Sequence, residues 1–243
     1  MLKKDIGICI RAVDYSDTSQ ILTFFCRDTG KISAIAKGTK RTKSKFGGAI
    51  ELLSYGELIF TEVDAAQLCS LREFDRMPKF MMMRNSLLTM NCALFGAELI
   101  NTFCHDFDPH QDLFDSFSDY LENLQAAETR ELKWGHLIAF QMKILNEAGT
   151  GLILDRCTNC SNNKYLGPFF SSQANGFICR DCQMSFMDKI HLSEEAVNVL
   201  ADLQKIIIAD LNVLYEIEQT IIFHIRQLTH KQPKLAEYFQ KTD

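Results

Sequence analysis

IGICIRAVDYSDTSQILTFFCRDTGKISAIAKG, residues 6–38, decides the fold. It holds three short runs rich in β-branched and aromatic residues, at 6–13, 19–26 and 31–38, which read as strands. Asp28-Thr29-Gly30 supplies the turn chemistry between the second run and the third. Working outward, a further pair, ELIFTEV (57–63) and QLCSLREF (67–74), flanks the short turn Asp64-Ala65-Ala66, with Tyr55 and Gly56 leading into it. No helix-period segment interrupts the five. Five short strands in about 75 residues suggest a small sandwich or barrel, and a five-stranded open barrel is the economical choice.

Beyond Pro78 the hydrophobic period changes to that of helices. Phe80–Phe103 reads as one long apolar helix. Asp108-Pro109 opens a second as N-cap and first-turn proline, with Gln111 at the capping-box position. Leu132–Glu147 makes a third, closed by Gly149, and Ser193 caps a fourth, with Glu194 and Glu195 favouring its dipole. Asn212–Leu228 is a fifth, and Lys234–Phe239 is a short terminal piece. The expected fold class is α+β, with β preceding α. A barrel domain occupies 1–78 and an all-helical domain 79–243, the latter interrupted by an insertion at about 155–190.

The connection between strands three and four contains KGTKRTKSKFGG, residues 37–48. It carries Lys37, Lys40, Arg41, Lys43 and Lys45 with no acid among them, although the chain as a whole is acidic, with a net charge of −5. Residues 1–80 hold 13 Lys/Arg against 10 Asp/Glu, whereas the remainder holds 13 against 21. A solubilising loop would mix signs. A wholly cationic loop on a small barrel fits contact with a phosphate backbone, and the bland alternative is a solvated loop. Gly38, Gly47 and Gly48 bracket the run and suggest mobility. Phe46, Tyr55, Phe24 and Phe25 are near enough in sequence to stack bases, with core packing the competing role for most.

Nine cysteines fall into two groups. Cys9, Cys26, Cys69, Cys92 and Cys104 stand singly in apolar surroundings and read as reduced, buried small hydrophobes, pointing to the cytoplasm. Cys157, Cys160, Cys179 and Cys182 form a CxxC–x18–CxxC pattern. Two residues between thiolates let one tight turn aim both sulfurs at one metal, and two such turns make the tetrahedral sulfur cage that zinc prefers. Free thiols or two disulfides are the other readings. Gly167-Pro168 and Asn175-Gly176 between the pairs suit a small β-hairpin. An all-cysteine cage has no open coordination position, so one structural Zn2+ is expected rather than a catalytic one. Ser161 and Gln183 follow the pairs where glycine often eases the turn, so strain is expected there.

The totals exclude several classes. Hydrophobic residues at 47% and charged ones at 23% describe a globular chain. Met1-Leu2-Lys3-Lys4 is followed by Asp5 and an alternating segment, not by a signal-peptide core. The uncharged run Asn85–Ala97 is too short for the roughly 20 residues of a membrane span. The six histidines show no metal-ligand spacing. No phosphate-binding loop, dinucleotide fingerprint or nucleophile elbow is present, so no enzyme is expected.

RAVDYSDTSQILTFFCRDTGKISAIAKGTKRTKSKFGGAIELLS, followed later by LDRCTNC, PFFSSQANGFICRDC and HLS, is similar to the bacterial recombination mediators of the RecO family. The resemblance spans essentially the whole chain. It implies an N-terminal OB-fold, a helical C-terminal domain carrying the zinc module, and a non-enzymatic role in recombinational repair. It further implies binding to single- and double-stranded DNA, annealing of complementary strands and, with the partner RecR, loading of RecA onto DNA coated by SSB, whose C-terminal tail is a further partner. Carried onto this chain, the DNA contacts are Lys37, Lys40, Arg41, Lys43 and Lys45, with Arg11 and Arg72 as secondary candidates. Two departures are the missing glycines after each CxxC and the acidic net charge, which suggests sharing the grip on DNA with a partner. The competing expectations are a zinc-containing protein-interaction adaptor without direct DNA contact, and a zinc-dependent enzyme.

Overall fold

The computed structural model describes residues 1–61, 68–163 and 167–239. The turn expected at Asp64-Ala65-Ala66 lies outside them. Two compact units are present, Met1–Gln125 and Ala126–Asp243.

The first unit opens with five strands: β1 (Leu2–Asp14), β2 (Gln20–Cys26), β3 (Gly30–Ala36), β4 (Tyr55–Thr61) and β5 (Cys69–Met77). They close into a barrel in the order β1-β2-β3-β5-β4. β1, β2 and β3 run antiparallel in sequence, β4 pairs antiparallel with both β1 and β5, and the parallel pair Ala34–Cys69 and Ile35–Ser70 joins β3 to β5. This is the five-stranded OB-fold. β1 is long because it serves two neighbours. Its first half pairs with β4 and its second with β2, and a bulge between Cys9 and Arg11 lets the strand bend from one to the other.

Alternation decides what the barrel encloses. Leu22, Phe24 and Cys26 of β2, Ile32, Ala34 and Ala36 of β3, Leu58 and Phe60 of β4 and Cys69, Leu71 and Phe74 of β5 point inward into one core with Cys9. Burial pushes the Cys9 thiol up to about 12 and raises Cys26 well above its ordinary value, as befits inert packing residues. The other two single cysteines, Cys92 and Cys104, are buried as well.

Two helices complete this unit, α1 (Leu87–Phe103) and α2 (Gln111–Ala126). The apolar run expected as one helix from Phe80 is broken. Met81–Asn85 forms a 3-10 turn, Ser86 is extended, and its hydroxyl caps α1 by accepting from the Thr89 N–H at 3.3 Å. Periodicity alone does not register such a cap, because the apolar spacing continues through it. α2 starts two residues after Pro109, with the Phe114 N–H donating to the His110 carbonyl. It covers an outward face of the barrel, where Phe25 meets Phe114 and Phe117 at centroid distances of 5.8 and 6.5 Å.

The second unit holds α3 (Arg130–Glu147), α4 (Glu194–Ala201) and α5 (Leu211–Thr229), each begun by a side-chain cap from Thr129, Ser193 and Asp210 respectively. Between α3 and α4 lies a three-stranded sheet: β6 (Phe169–Ser171), β7 (Gly176–Ile178) and β8 (Ile190–His191), in the order β7-β6-β8. The hairpin turns at Asn175-Gly176, as the sequence suggests, with Asn175 at φ 59°. Phe170 packs edge-on against His224 of α5 at 5.8 Å, and the Ser172 hydroxyl bonds the His224 Nδ1 at 2.7 Å. The inserted sheet is thus seated on α5. Among the described residues no helix is long and apolar enough to cross a membrane.

Candidate nucleic-acid interface and metal centre

The β3–β4 connection, 37–54, is anchored at several points and presents its cations outward. Phe46, 6% exposed, and Ile50, 1% exposed, drop into the barrel core and tie the loop to it. Phe46 is therefore a packing residue and not a base platform, as are the fully buried Phe24 and Phe25. Gln20, which shares the inward parity of Leu22 and Phe24, spends its amide on the loop. Its Nε2 donates to the Ile50 carbonyl at 3.2 Å, and its Oε1 accepts from the Ile50 N–H at 2.9 Å. Arg76 of β5 donates to the Ala49 carbonyl at 3.1 Å.

At its other end the loop rests on the β1–β2 turn. The Lys40 N–H donates to the Thr18 carbonyl at 3.2 Å, and the Lys40 ammonium pairs with the Asp14 carboxylate. Arg41 turns back so that its N–H donates to the Gly38 carbonyl at 3.2 Å. Gly38, Gly47 and Gly48 take φ values of 81°, 69° and 121°, so they serve as turn formers between anchored points. Lys37, Lys40, Arg41, Lys43 and Lys45 are all exposed, with the Lys45 ammonium 5.1 Å from the Phe46 ring centre. This leaves a short cationic crest on a fixed base.

Arg11 and Arg72 are also exposed, each on a strand at a bulge. Neither takes part in the set of contacts that holds the loop. Tyr55 is half-buried, with the Lys79 ammonium 4.8 Å from its ring centre. Sequence reading passes over Gln20, Asp14 and Arg76. For Gln20 one signal was available, a polar residue at an inward-parity position of an apolar strand. For the other two there was none.

In the second unit the four paired cysteines converge, their sulfurs all within 4.8 Å of one another. Cys160 Sγ and Cys179 Sγ are 3.8 Å apart, close to the separation of about 3.8 Å that a tetrahedral site with 2.3 Å metal–sulfur bonds requires. That spacing is far longer than a disulfide, and all nine cysteines are free. The first pair is held by a turn in which the Ser161 N–H donates to the Cys157 carbonyl at 2.8 Å, and the second by the Cys182 N–H donating to the Cys179 carbonyl at 3.1 Å. The Cys179 N–H points at Cys157 Sγ at 3.4 Å, and the Asn159 amide points at Cys182 Sγ at 3.3 Å. Such N–H donors favour thiolates.

The electrostatics fit a cation. Burial pushes the Cys157 thiol up, but the N–H groups of Cys179, Cys160 and Asn159 outweigh it and bring it down to about 6. The Asn159 amide lowers Cys182, yet desolvation and the neighbouring Cys179, Cys160 and Cys157 drive it up to about 12. Four thiolates this close repel one another unless a cation stands between them. The cluster can hold a metal ion.

Two residues show how the backbone makes room for it. A Cβ on Gly167 would meet the Ile178 carbonyl oxygen at 2.0 Å, so only glycine lets the hairpin close against the second pair. Ser161, directly after the first pair, sits at φ 59°, in the left-handed region that glycine enters without cost. The strain expected from the missing glycine is present there. Gln183 lies in a short 3-10 helix, outside the left-handed region.

The family model for the Recombination protein O N terminal matches residues 1–76, and that for the Recombination protein O C terminal matches residues 84–235. The chain belongs to the RecO family of DNA repair proteins. It is similar to the DNA repair protein RecO of Anaeromyxobacter dehalogenans, 30% identical over 200 residues, which cover 82% of this chain and 78% of the relative. RecO of Rhodopirellula baltica is 29% identical over 205 residues, covering 82% and 73%. RecO of Bacillus pumilus is 28% identical over 201 residues, covering 82% and 76%. The two RecO models meet within 77–83, where the barrel strands give way to helices.

Proposed function

We propose that this RecO-family chain is a non-enzymatic recombination mediator. It binds single- and double-stranded DNA, anneals complementary strands and, with RecR, helps load RecA onto SSB-coated DNA. It engages the C-terminal tail of SSB and works in the cytoplasm on the nucleoid during repair. Residues 1–78 form the DNA-binding domain and 79–243 the helical domain with its insertion at 155–190. The grip on DNA is the loop carrying Lys37, Lys40, Arg41, Lys43 and Lys45, assisted by Arg11 and Arg72.

One observation carries this reading: five exposed cations on a loop whose base is pinned by Phe46, Ile50 and Gln20. A pinned loop presents charge with little ordering cost on binding, and its contacts reach phosphates without reading sequence. Cys157, Cys160, Cys179 and Cys182 hold one structural Zn2+, which staples the insertion.

The test is single-strand binding and strand annealing across salt concentrations. Each neutralised phosphate contributes about −0.7 to the slope of log affinity against log salt, or roughly −3.5 if all five cations engage. Replacing Lys40, Arg41 and Lys43 by Ala flattens that slope and slows annealing, with and without SSB. An unchanged slope removes the loop from the interface. Binding to a partner protein without measurable DNA contact favours the adaptor reading instead.

A further inference from the structure

Among the described residues of the Met1–Gln125 unit, every Phe and Tyr side chain except one is buried or half-buried; the exception is Tyr15, 63% exposed. Tyr15 opens the β1–β2 turn. Its N–H donates to the Ser19 carbonyl at 3.0 Å, and the Ser16 N–H donates to the same oxygen at 3.3 Å, so the turn is closed by its own backbone.

The basic loop rests on this same turn. Asp14, the residue before Tyr15, takes the Lys40 ammonium, and Thr18, three residues after it, accepts from the Lys40 N–H. The chain on both sides of Tyr15 is therefore held to Lys40, which fixes the backbone at Tyr15 beside the base of the cationic loop. Burial is the favourable state for a side chain this apolar. Surfaces that hold single strands combine the two elements found here, cations that track phosphates and an open aromatic face that takes a base. Asp14 and Asp17 flank Tyr15 in the sequence. In the free chain the Asp14 charge is met by Lys40, and Lys37, Arg41, Lys43 and Lys45 offer phosphate contact beside that pair, so stacking needs no further cation at the ring itself.

We propose that Tyr15 is a base-stacking residue: an unpaired base of a strand whose phosphates run along the Lys37–Lys45 loop lies on the Tyr15 ring. The inference rests on the DNA-binding reading of that loop and adds to it a contact that only unpaired bases can make.

The experiment measures binding of the full chain to an oligothymidylate and to an abasic strand of the same length, over a range of salt. Wild-type chain, Tyr15→Ala and Tyr15→Phe are compared. Tyr15→Ala weakens binding to the oligothymidylate roughly 5- to 150-fold without changing the salt slope. Tyr15→Phe, which keeps the ring, binds as wild type. On the abasic strand all three bind alike, which also shows that the Ala variant is folded. Wild-type affinity of Tyr15→Ala for the oligothymidylate, or an equal loss on both strands, overturns the stacking role while leaving the loop's phosphate contact standing. Failure of the wild-type chain to bind either strand overturns the DNA-binding reading and this inference together.

Discussion

Gln20 grips Ile50 with both ends of its amide, donating to its carbonyl at 3.2 Å and accepting from its N–H at 2.9 Å, across thirty residues of chain. All of these groups are buried. The side chain thus supplies Ile50 with the pair of bonds a strand partner would give, and it fixes where the cationic crest returns to the barrel. Replacing Gln20 by Ala leaves a buried N–H and a buried carbonyl unsatisfied. We expect a loss of about 1–3 kcal/mol in urea unfolding, with faster hydrogen exchange at the Ile50 amide.

Asp14 is a competitor for Lys40. The pair is an exposed one, worth about 0–1 kcal/mol, so phosphate can displace it. Asp14→Asn frees the ammonium and removes a negative charge from the path of the DNA. Single-strand affinity at low salt should rise about two- to five-fold, and the salt slope should steepen by up to about 0.7. Titration of fluorescent oligonucleotide at several salt concentrations reads both.

The cysteine cage carries the insertion. Structural zinc sites contribute roughly 10–16 kcal/mol of binding free energy to the fold they close. Cys179→Ser, or a strong chelator, should release one equivalent of metal and unfold the 155–190 insertion, seen by near-ultraviolet circular dichroism and protease sensitivity. Ser161→Gly acts in the opposite direction. It relieves a left-handed conformation in a residue with a Cβ, and the metal-loaded chain should gain about 1 kcal/mol in thermal unfolding.

Glu218 makes the second unit sensitive to pH. It is fully buried on α5, and Oε1 accepts from the Gln141 amide of α3 at 2.8 Å. Desolvation raises its pKa to about 8, against the lowering effect of that single hydrogen bond. Between the ordinary carboxylate range and about 8, the folded state keeps a proton that the unfolded state releases. Stability contributed by the protonated form is therefore full at low pH and lost as pH rises through this window, at up to about 1.4 kcal/mol per unit. Glu218→Gln keeps the shape and removes the charge. Urea unfolding between pH 5 and 9 should show the wild-type slope and its loss in the variant.

What could be read without the fold was whatever depends on short stretches of chain. The period-two runs at 6–38 yield β2 and β3 to within two residues and β1 four residues short at its start, and the CxxC spacing brings Cys157, Cys160, Cys179 and Cys182 to one point. Ser193 caps α4 as its position before two glutamates indicates. Strand alternation, tight thiolate turns and helix caps are all set within a few residues, so the order of amino acids contains them.

Tertiary closure decided the rest. Phe46, Tyr55 and Tyr15 are alike as aromatic residues near a basic run. The barrel buries the first, half-covers the second and leaves the third in water, because covering depends on which surfaces the β1–β4 and β3–β5 pairings bring together. Likewise Gln20 and Ile50, Asp14 and Lys40, and Arg76 and Ala49 become partners only once the barrel closes. Strands, cationic run and paired cysteines follow from local order along the chain. Closure settled how that run is held and which aromatic side chain stays exposed, since contacts between distant segments exist only after closure has chosen the neighbours.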